Sequence, residues 1–207
     1  MPHQDQDGVD DFASRLMSDD RRKWQDPESI IRQAGVREGW TVADMACGPG
    51  YFTLPIAAKV GAAGTVYAVD SSQRMLEHLK ANLKGAADGI RRVVRPVAAD
   101  VCATGILAAS VDFVFFANVL HDISDRASLF REVRRISKAG SYVLNVDWKK
   151  QDSGFGPPPE IRLSENTAER IMEEGGLRAV RKIEAGEFHY GILCEWKRVR
   201  VEAGARP

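Results

Sequence analysis

Residues 41–50, Thr-Val-Ala-Asp-Met-Ala-Cys-Gly-Pro-Gly, decide the fold class of this 207-residue chain. The first six residues form a short apolar run, which is typical of a buried strand. Gly48 and Gly50 then allow backbone conformations and close approaches that a Cβ atom would hinder. Residues 51–60 have helical spacing and end before Gly61. A strand, a glycine loop and a helix in this order predict one unit of an α/β fold.

Strand and helix signals continue to alternate along the chain. The last two predicted strands are joined by a turn at residues 185–186 and form a hairpin. This pattern predicts a doubly wound α/β fold with a seven-stranded, mostly parallel sheet and one antiparallel strand in the C-terminal hairpin. The further strands are predicted at residues 65–69, 90–98, 112–119, 141–148, 177–183 and 188–198, with helices that include residues 124–138 and 166–174.

The length of the chain fits a single domain, which we expect at residues 11–200, after a disordered segment 1–10 and before a flexible tail 201–207. The three cysteines are odd in number and form no C-x-x-C pair, which argues against a disulfide framework and a structural zinc site. The N-terminus lacks the features of a signal peptide, and the longest apolar run is too short to cross a membrane. We therefore expect a cytoplasmic protein without a metal or a membrane partner.

Basic and acidic side chains balance, with 29 of each and a formal net charge of zero. Proteins that bind phosphate backbones usually carry a basic excess, because counterion release supplies much of their affinity. The neutral total therefore argues against nucleic acid as a partner. The short basic run at residues 21–23 is interpreted as solvated surface, with anion binding as the alternative.

Polar side chains follow the first four predicted strands near the point where each strand ends. Ligands of open α/β sheets bind outside these carboxyl ends. A buried polar group without a partner costs about 1–3 kcal/mol, so a polar ligand is expected there. Asp70 lies twenty residues after Gly50, where a carboxylate can accept hydrogen bonds from both ribose hydroxyls of a nucleoside. The strand-end residues are Asp44, Asp70, Asp100 and Asn118, the last followed by His121.

The first loop indicates which nucleoside derivative would bind. Gly48 and Gly50 lack the third glycine of a dinucleotide loop, and no Lys-Ser or Lys-Thr pair completes a phosphate-binding loop. Asp44 at the start of the loop would repel a pyrophosphate but suits a cationic ligand. S-adenosylmethionine carries a sulfonium and an amino group and has no phosphate, so the loop favours it over NAD.

Four segments, VADMACGPGYFTLPIA, VYAVDSSQRML, AADV and DFVFFANVLHDI, follow one another in this order. The series resembles the motifs of class I S-adenosylmethionine-dependent methyltransferases. It is most similar to the small-molecule group that includes ubiquinone/menaquinone-biosynthesis C-methyltransferases and methyltransferase domains of types 11 and 25. The resemblance covers about residues 24–198. It implies a Rossmann-like methyltransferase fold and S-adenosylmethionine as cofactor.

The resemblance also implies a role for each matching residue. Asp44 would orient the methionine part of the cofactor, Asp70 would hold the ribose hydroxyls, and Asn118 would offer its backbone carbonyl to the amine. Ala46 stands where the family normally has glycine, so the loop would lie slightly further from the ligand. The implied cofactor-binding residues are Asp44, Ala46, Gly48, Gly50, Asp70, Ser71, Met75, Asp100, Val101 and Asn118, of which Ser71 and Met75 would border the adenine and Asp100 and Val101 would bind it.

His121 follows the fourth strand and is the candidate catalytic residue. A neutral imidazole there could accept the proton of a methyl acceptor, although packing against the loop is the alternative. The segment Asn-Val-Leu-His lacks the Pro-Pro motif of amine methylases that act on bases or glutamine, which favours O, C, S or small-molecule N acceptors. Trp24, Trp148 and Phe155 are candidate aromatic walls of the acceptor pocket.

The predicted function is therefore methyl transfer to a small molecule by in-line displacement, in a protein that could form a homodimer. The sequence leaves two alternatives open, an RNA or protein methyltransferase and a non-catalytic S-adenosylmethionine-binding domain. Arsenite methylation is disfavoured, since it needs several cysteines around the pocket. Cys47 lies in the cofactor loop, whereas Cys194 lies on a late strand.

Overall fold

The computed structural model describes residues 3–197, with side chains from residue 8 onward. Fifteen helices and strands make up this part of the chain. The helices are α1 (His3–Leu16), α2 (Asp19–Trp24), α3 (Pro27–Ala34), α4 (Thr53–Val60), α5 (Gln73–Gly85), α6 (Asp88–Val93), α7 (Arg126–Ile136) and α8 (Glu165–Glu174). The strands are β1 (Thr41–Met45), β2 (Thr65–Asp70), β3 (Val94–Ala98), β4 (Val111–Ala117), β5 (Ser137–Trp148), β6 (Leu177–Glu184) and β7 (His189–Trp196).

The strands form one seven-stranded sheet in the order β3-β2-β1-β4-β5-β7-β6. The pairs among β1 to β5 are parallel, and β7 runs antiparallel to both of its neighbours. This confirms the predicted doubly wound sheet with one antiparallel strand in a C-terminal hairpin. The strand order reverses between β1 and β4, which is the switch point where ligands of such sheets bind.

Each face of the sheet carries an apolar layer, because β4 is buried on both sides. Phe113 and Phe115 point into the layer covered by α3, α4 and α5, whereas Val114 and Phe116 point into the layer of α7 and α8. Leu79 of α5 and Leu129 of α7 are fully buried in these two layers. Burying a Leu side chain contributes about 1.5–3 kcal/mol, so the layers hold the strand ends in fixed positions.

Two strand predictions need correction. Residues 90–93, predicted as the start of the third strand, belong to α6, and β3 begins at Val94. β5 begins at Ser137, earlier than the predicted residue 141, after a register shift between Val111 and Phe113 of β4. Over a short segment, apolar spacing does not distinguish a helical turn from a strand. Which of the two forms depends on whether a neighbouring strand pairs with the segment.

The structure describes α1 over residues for which the sequence predicted disorder. The Nε atom of Arg74 on α5 donates to Asp10 Oδ1 at 2.7 Å, and His78 Nε2 lies 2.8 Å from the same oxygen. These contacts hold α1 against α5 and could not be seen in the local sequence. The predicted tail at residues 201–207 lies outside the described residues, so the predicted domain limits stay a prediction.

No helix within residues 3–197 is both long enough and apolar enough to span a membrane.

Candidate functional site

The carboxyl edge of the sheet brings together the predicted strand-end residues. Met45 and Val69 are opposite each other in β1 and β2, so Asp44 and Asp70 lie at the ends of neighbouring strands. Phe116 pairs with Met45, which places Asn118 beyond the end of the adjacent strand β4. Residues far apart in the chain therefore surround the switch point as predicted.

Asp70 fixes the glycine loop. Its Oδ2 atom accepts the N–H of Gly48 at 2.8 Å, and its Oδ1 atom accepts the N–H of Ser72 at 2.8 Å. Gly50 has a φ of 99°, which residues with a Cβ atom rarely adopt, and a Cβ atom there would also lie 2.5 Å from Leu79 Cδ1. The loop thus presents its backbone at the sheet edge in one defined conformation.

Ala46 has a left-handed backbone conformation, with a φ of 55°. This conformation costs a residue with a Cβ atom about 1–2 kcal/mol relative to the right-handed helical region, a penalty that glycine escapes. Glycine, which the family resemblance implies at this position, would adopt this conformation without the penalty. The backbone strain at Ala46 could not be read from the sequence.

Asp44 is a buried carboxylate with a perturbed pKa. It is 2% exposed, and Thr53 Oγ1 donates to its Oδ2 atom at 2.6 Å. Burial, together with the nearby charge of Asp70, raises the pKa of Asp44 to about 7, although the Thr53 hydrogen bond opposes the shift. Within residues 3–197, neither Asp44 nor Asp70 forms an ion pair with a basic side chain.

Asn118 also has a left-handed conformation, with a φ of 60°, which Asn tolerates better than most residues. Its backbone N–H donates to Val146 O of β5 at 2.8 Å. Its side-chain Oδ1 atom is buried and has no hydrogen-bond partner in the described part of the chain. An oriented, unpaired acceptor therefore lies at the end of β4.

The remaining predicted cofactor residues lie along the ends of β2 and β3. Ser71 is exposed, and the residue that caps α5 is Ser72, whose Oγ accepts the N–H of Met75 at 3.3 Å. Asp100 is exposed and accepts the N–H of Cys102 at 2.7 Å. Met75 and Val101 are each 9% exposed. Their predicted contacts with an adenine ring stay predictions.

α1 passes over the glycine loop. The position of a Cβ atom on Gly48 would lie 3.7 Å from Leu16 Cδ1 at the end of this helix. Two open hollows lie elsewhere, one of ≈ 710 Å³ between α7 and α8 and one of ≈ 330 Å³ between α3 and β6. None of the predicted site residues lines either hollow.

His121 is paired with Asp147, a residue that the sequence analysis missed. The His121 side chain is 3% exposed, and its Nδ1 atom lies 2.7 Å from Asp147 Oδ1 at the end of β5. The carboxylate also accepts the N–H of His121 at 3.3 Å and the N–H of Trp148 at 2.8 Å. An acidic residue at the end of a fifth strand was the available signal, but its partner depends on the sheet.

This pairing sets the chemistry of the imidazole. With Asp147 accepting at Nδ1, that atom carries the hydrogen, and the lone pair of Nε2 remains free. Nε2 lies 3.4 Å from Asp122 Oδ2. Burial lowers the pKa of His121, but the hydrogen bond and charge of Asp147 outweigh burial, with a smaller contribution from Asp122, and raise it above the ordinary value. The arrangement is one that can accept a proton and stabilise the resulting imidazolium.

Beside this pair lies a group of rings that we call the aromatic cluster. The predicted walls Trp24, Trp148 and Phe155 are indeed together, with ring centroids 5.0 to 5.8 Å apart. Two residues not predicted complete it, since Phe188 contacts Phe155 at 5.0 Å and His189 contacts Trp148 at 4.1 Å. The aromatic cluster consists of Trp24, Trp148, Phe155, Phe188 and His189.

Arg162 organises the loop that carries Phe155. This side chain is 2% exposed. Its guanidinium donates to the carbonyl oxygens of residues 149, 151, 155 and 157 and to Ser153 Oγ, at 2.7 to 3.3 Å. It also lies over the Trp148 ring at 4.8 Å. The Gly-Pro-rich segment is therefore an ordered wall of the site.

Comparison with known proteins identifies the family. The family described as "Methyltransferase domain" matches residues 43–145. The solved structure of a SAM-dependent methyltransferase from Aquifex aeolicus has a TM-score of 0.81 and 30% identity, and the match covers 89% of this chain and 96% of that chain. The chain belongs to the S-adenosylmethionine-dependent methyltransferases. A putative type 11 methyltransferase from Sulfolobus solfataricus, with a TM-score of 0.70 and 23% identity over 86% of this chain and 95% of that chain, shares the fold.

Curated relatives of this methyltransferase include enzymes of quinone biosynthesis. A demethylmenaquinone methyltransferase from Staphylococcus aureus (strain MRSA252) is 27% identical over 66% of this chain and 54% of that protein. A ubiquinone/menaquinone biosynthesis C-methyltransferase from Geotalea uraniireducens (strain Rf4) is 35% identical over 67% of this chain and 57% of that protein. The chain thus spans about half the length of the curated relatives it matches.

The residues present suit S-adenosylmethionine, the cofactor of this methyltransferase family. Asp44 and Asp70 repel each other without a basic partner, and a ligand that carries a sulfonium and an amine would relieve that repulsion. The unpaired Oδ1 of Asn118 offers a further acceptor at the same edge. The absence of a side chain at Gly48 leaves the loop backbone open to a ligand once Leu16 gives way. The donor and acceptor set therefore fits a cationic nucleoside.

Proposed function

We propose that this methyltransferase transfers the methyl group of S-adenosylmethionine to a small ring-shaped acceptor of the quinol type. The observation that carries the proposal is the His121–Asp147 pair, whose side chains are buried at the same sheet edge as Asp44 and Asp70. A proton-accepting group there suits an acceptor whose ring C–H or O–H must ionise when it is methylated. The names of the curated relatives, which are quinone-biosynthesis methyltransferases, support this acceptor class.

In this proposal the residues of the glycine loop and the strand ends orient the cofactor. Asp44 binds the amino group, Asp70 accepts hydrogen bonds from the ribose hydroxyls, and the backbone carbonyl of Asn118 also accepts a hydrogen bond from the amine. Ala46, Gly48 and Gly50 let the backbone pass close to the ligand. When bound, S-adenosylmethionine supplies a methyl carbon that the sulfonium makes electrophilic. The adenine would lie between α5 and the end of β3, with Ser71, Met75, Asp100 and Val101 around it.

His121 receives the proton that the acceptor gives up. In this role Nε2 of His121 would take up the acceptor proton while the acceptor carbon or oxygen bonds to the methyl carbon. The cofactor, when bound, would supply that methyl group and keep the electrons of its carbon–sulfur bond as a neutral sulfide. Asp147 holds the imidazole in the required tautomer and stabilises its positive charge. The main contribution of the site to the rate is alignment, since proximity can supply about 7–11 kcal/mol of the barrier.

The other functions considered have less support. Cys47 and Cys194 lie in the apolar layers on opposite faces of the sheet, which does not suit an arsenic site. A non-catalytic cofactor-binding domain would not need the His121–Asp147 pair. RNA or protein acceptors, a homodimer and the predicted cytoplasmic location stay predictions.

A methyl-donor assay tests the proposal. Purified protein is incubated with S-adenosylmethionine and with 1,4-naphthohydroquinone, a phenol, an amine or a short RNA, and release of S-adenosylhomocysteine is measured. We expect turnover with the hydroquinone, kept reduced under nitrogen, and a large loss in His121→Gln. Calorimetry with S-adenosylhomocysteine and NAD is run in parallel. Turnover with the RNA or amine alone, or binding of NAD alone, would overturn the proposal.

A further inference from the structure

His189 is an unusual member of the aromatic cluster because its polar atoms are unsatisfied. The residue is 1% exposed, and both ring nitrogens are buried without a hydrogen-bond partner in the described part of the chain. Leaving a buried donor or acceptor unpaired costs about 1–3 kcal/mol, and a neutral imidazole has one of each. A phenylalanine would fill the same place without this cost. The two unpaired nitrogens therefore indicate a hydrogen-bond partner that the described part of the chain does not provide.

The surroundings of the aromatic cluster are positively charged. Burial, followed by the charges of Arg21, Arg162 and Lys149, lowers the pKa of His189 to about 3. Arg21 is 6% exposed, and neither it nor Arg162 forms an ion pair with a carboxylate within residues 3–197. Asp147, which directly precedes Trp148 of the aromatic cluster, is occupied by His121. Groups of aromatic rings often bind quaternary ammonium ions, but this field opposes a cation.

Trp24 covers His189 in the way that a ligand ring would. The two rings are nearly parallel, with an interplanar angle of 9° and centroids 5.4 Å apart. The backbone of Trp24 is fixed, because Tyr51 donates to Gln25 O at 2.5 Å and Gly186 packs directly on the Trp24 carbonyl. The half-buried indole itself forms no hydrogen bond with any side chain or backbone group in the part of the chain that the structure describes. For a ligand ring to stack on His189 in its place, the Trp24 indole has to move aside.

We infer that the aromatic cluster is the acceptor subsite, that it takes a flat neutral or anionic ring bearing an oxygen, and that His189 hydrogen-bonds that oxygen. The subsite lies at the carboxyl edge of the sheet. Tyr51 connects it to the glycine loop, and Trp148 and His189 pair at the carboxyl end of β5, the strand that also carries Asp147. This inference rests on the proposed function, and it adds a charge preference and a specificity residue to it. The same charges disfavour acceptors that carry a quaternary ammonium group on the ring.

Three probes that share one ring system test the charge preference. 2-Naphthol is neutral, 2-naphthoate is anionic, and (2-naphthylmethyl)trimethylammonium is cationic. Their affinities are measured by calorimetry with the full chain saturated with S-adenosylhomocysteine. We expect the cation to bind at least tenfold more weakly than 2-naphthol. Equal or tighter binding of the cation overturns the inference.

His189→Phe tests the hydrogen bond. This variant keeps a ring against Trp24 and Trp148 but removes both nitrogens. We expect it to bind 2-naphthol about tenfold more weakly, to bind 2-methylnaphthalene as wild type does, and to melt at a higher temperature. Trp40→Phe is the matched control, because Trp40 lies in another group of rings with Phe113 and Tyr142. An unchanged affinity for 2-naphthol in His189→Phe overturns the role of His189.

Failure of this inference differs from failure of the proposed function. If S-adenosylhomocysteine binds and the hydroquinone is methylated, but the naphthyl probes do not distinguish wild type from His189→Phe, the acceptor binds elsewhere. If S-adenosylhomocysteine does not bind, the proposed function fails instead. The cofactor titration therefore separates the two outcomes.

Discussion

The imidazole Nδ1 of His121 lies 2.7 Å from the carboxylate Oδ1 of Asp147, although the two residues are 26 positions apart in the chain. The pairing exists because β4 and β5 are neighbours and end at the same edge of the sheet. A carboxylate at Nδ1 leaves Nε2 as the ring nitrogen that can accept a proton.

Asp147→Asn should reduce kcat about 10²- to 10⁴-fold with little change in KM, because the amide no longer stabilises the imidazolium. Asp147 raises the pKa of His121, so its removal lowers that pKa. A base must be neutral to act, and activity therefore rises as pH increases through the pKa of His121. The acidic limb of the kcat profile should move to lower pH in the variant.

Asp88→Asn is the matched control for this prediction, since Asp88 is exposed on α6. We expect it to retain the wild-type kcat and pH profile. If Asp147→Asn also retained both, the pair would have no part in proton transfer.

Asp44→Asn should stabilise the cofactor-free protein and weaken cofactor binding. The pKa of Asp44 is raised from 3.8 to about 7, so the folded protein holds this proton more tightly than the unfolded chain. Ionising Asp44 therefore reduces stability as pH rises from about 4 to about 7, by at most about 4 kcal/mol. The variant should melt higher than wild type at pH 8 and show little difference at pH 4.

The same variant should bind S-adenosylhomocysteine at least tenfold more weakly by calorimetry, because it has no charge for the amine. In wild type, affinity should fall as pH decreases below about 7, since protonation of Asp44 removes that charge. A variant that binds normally, or that is less stable at pH 8, would contradict the assignment of Asp44.

Ala46→Gly should raise the free energy of unfolding by up to about 1 kcal/mol, because Ala46 has a φ of 55° that glycine adopts without strain. Affinity for S-adenosylhomocysteine should stay the same or increase. Chemical denaturation measures the first quantity and calorimetry the second. Ala57→Gly provides the contrast. Ala57 is buried in α4, where glycine should lower the free energy of unfolding. Destabilisation by Ala46→Gly would contradict a strain at this position.

Asp10→Asn should loosen α1 over the glycine loop. Asp10 binds Arg74 and His78 of α5, and the Arg74 hydrogen bond chiefly lowers the pKa of Asp10 to about 2. Because the pKa of Asp10 is lowered, its contacts with Arg74 and His78 contribute fully to stability above about pH 4. That contribution is lost as pH falls through about 2, so it is present at neutral pH. We expect faster amide exchange in α1 and a several-fold faster dissociation of S-adenosylhomocysteine.

Asp11→Asn is the neighbouring control for α1. Asp11 is exposed and binds Arg15 within the same helix, so its loss should not release α1 from α5. Equal exchange rates in the two variants would show that the Asp10 contact does not hold the helix.

The sequence by itself determined that the fold is a doubly wound, mostly parallel α/β sheet. It also located the glycine loop and the acidic residues at the strand ends. Apolar runs separated by helical spacing report burial directly, and the residue that follows a strand must lie at the edge of the sheet. For the same reason Asp44, Asp70, Asn118 and His121 could be placed together before any distance was known. The sequence also indicated a cationic ligand, because charge type is a property of the residues themselves.

Tertiary structure alone decided which side chains act on one another. Asp147 reaches His121, and His189 lies between Trp24 and Trp148, because strands distant in the chain are neighbours in the sheet. The raised pKa of Asp44 and the left-handed backbone of Ala46 likewise depend on burial and loop geometry. Local spacing also misplaced residues 90–93, since a helical turn and a strand share short apolar patterns. Periodicity fixes which way a residue faces, but what it faces depends on how the elements pack.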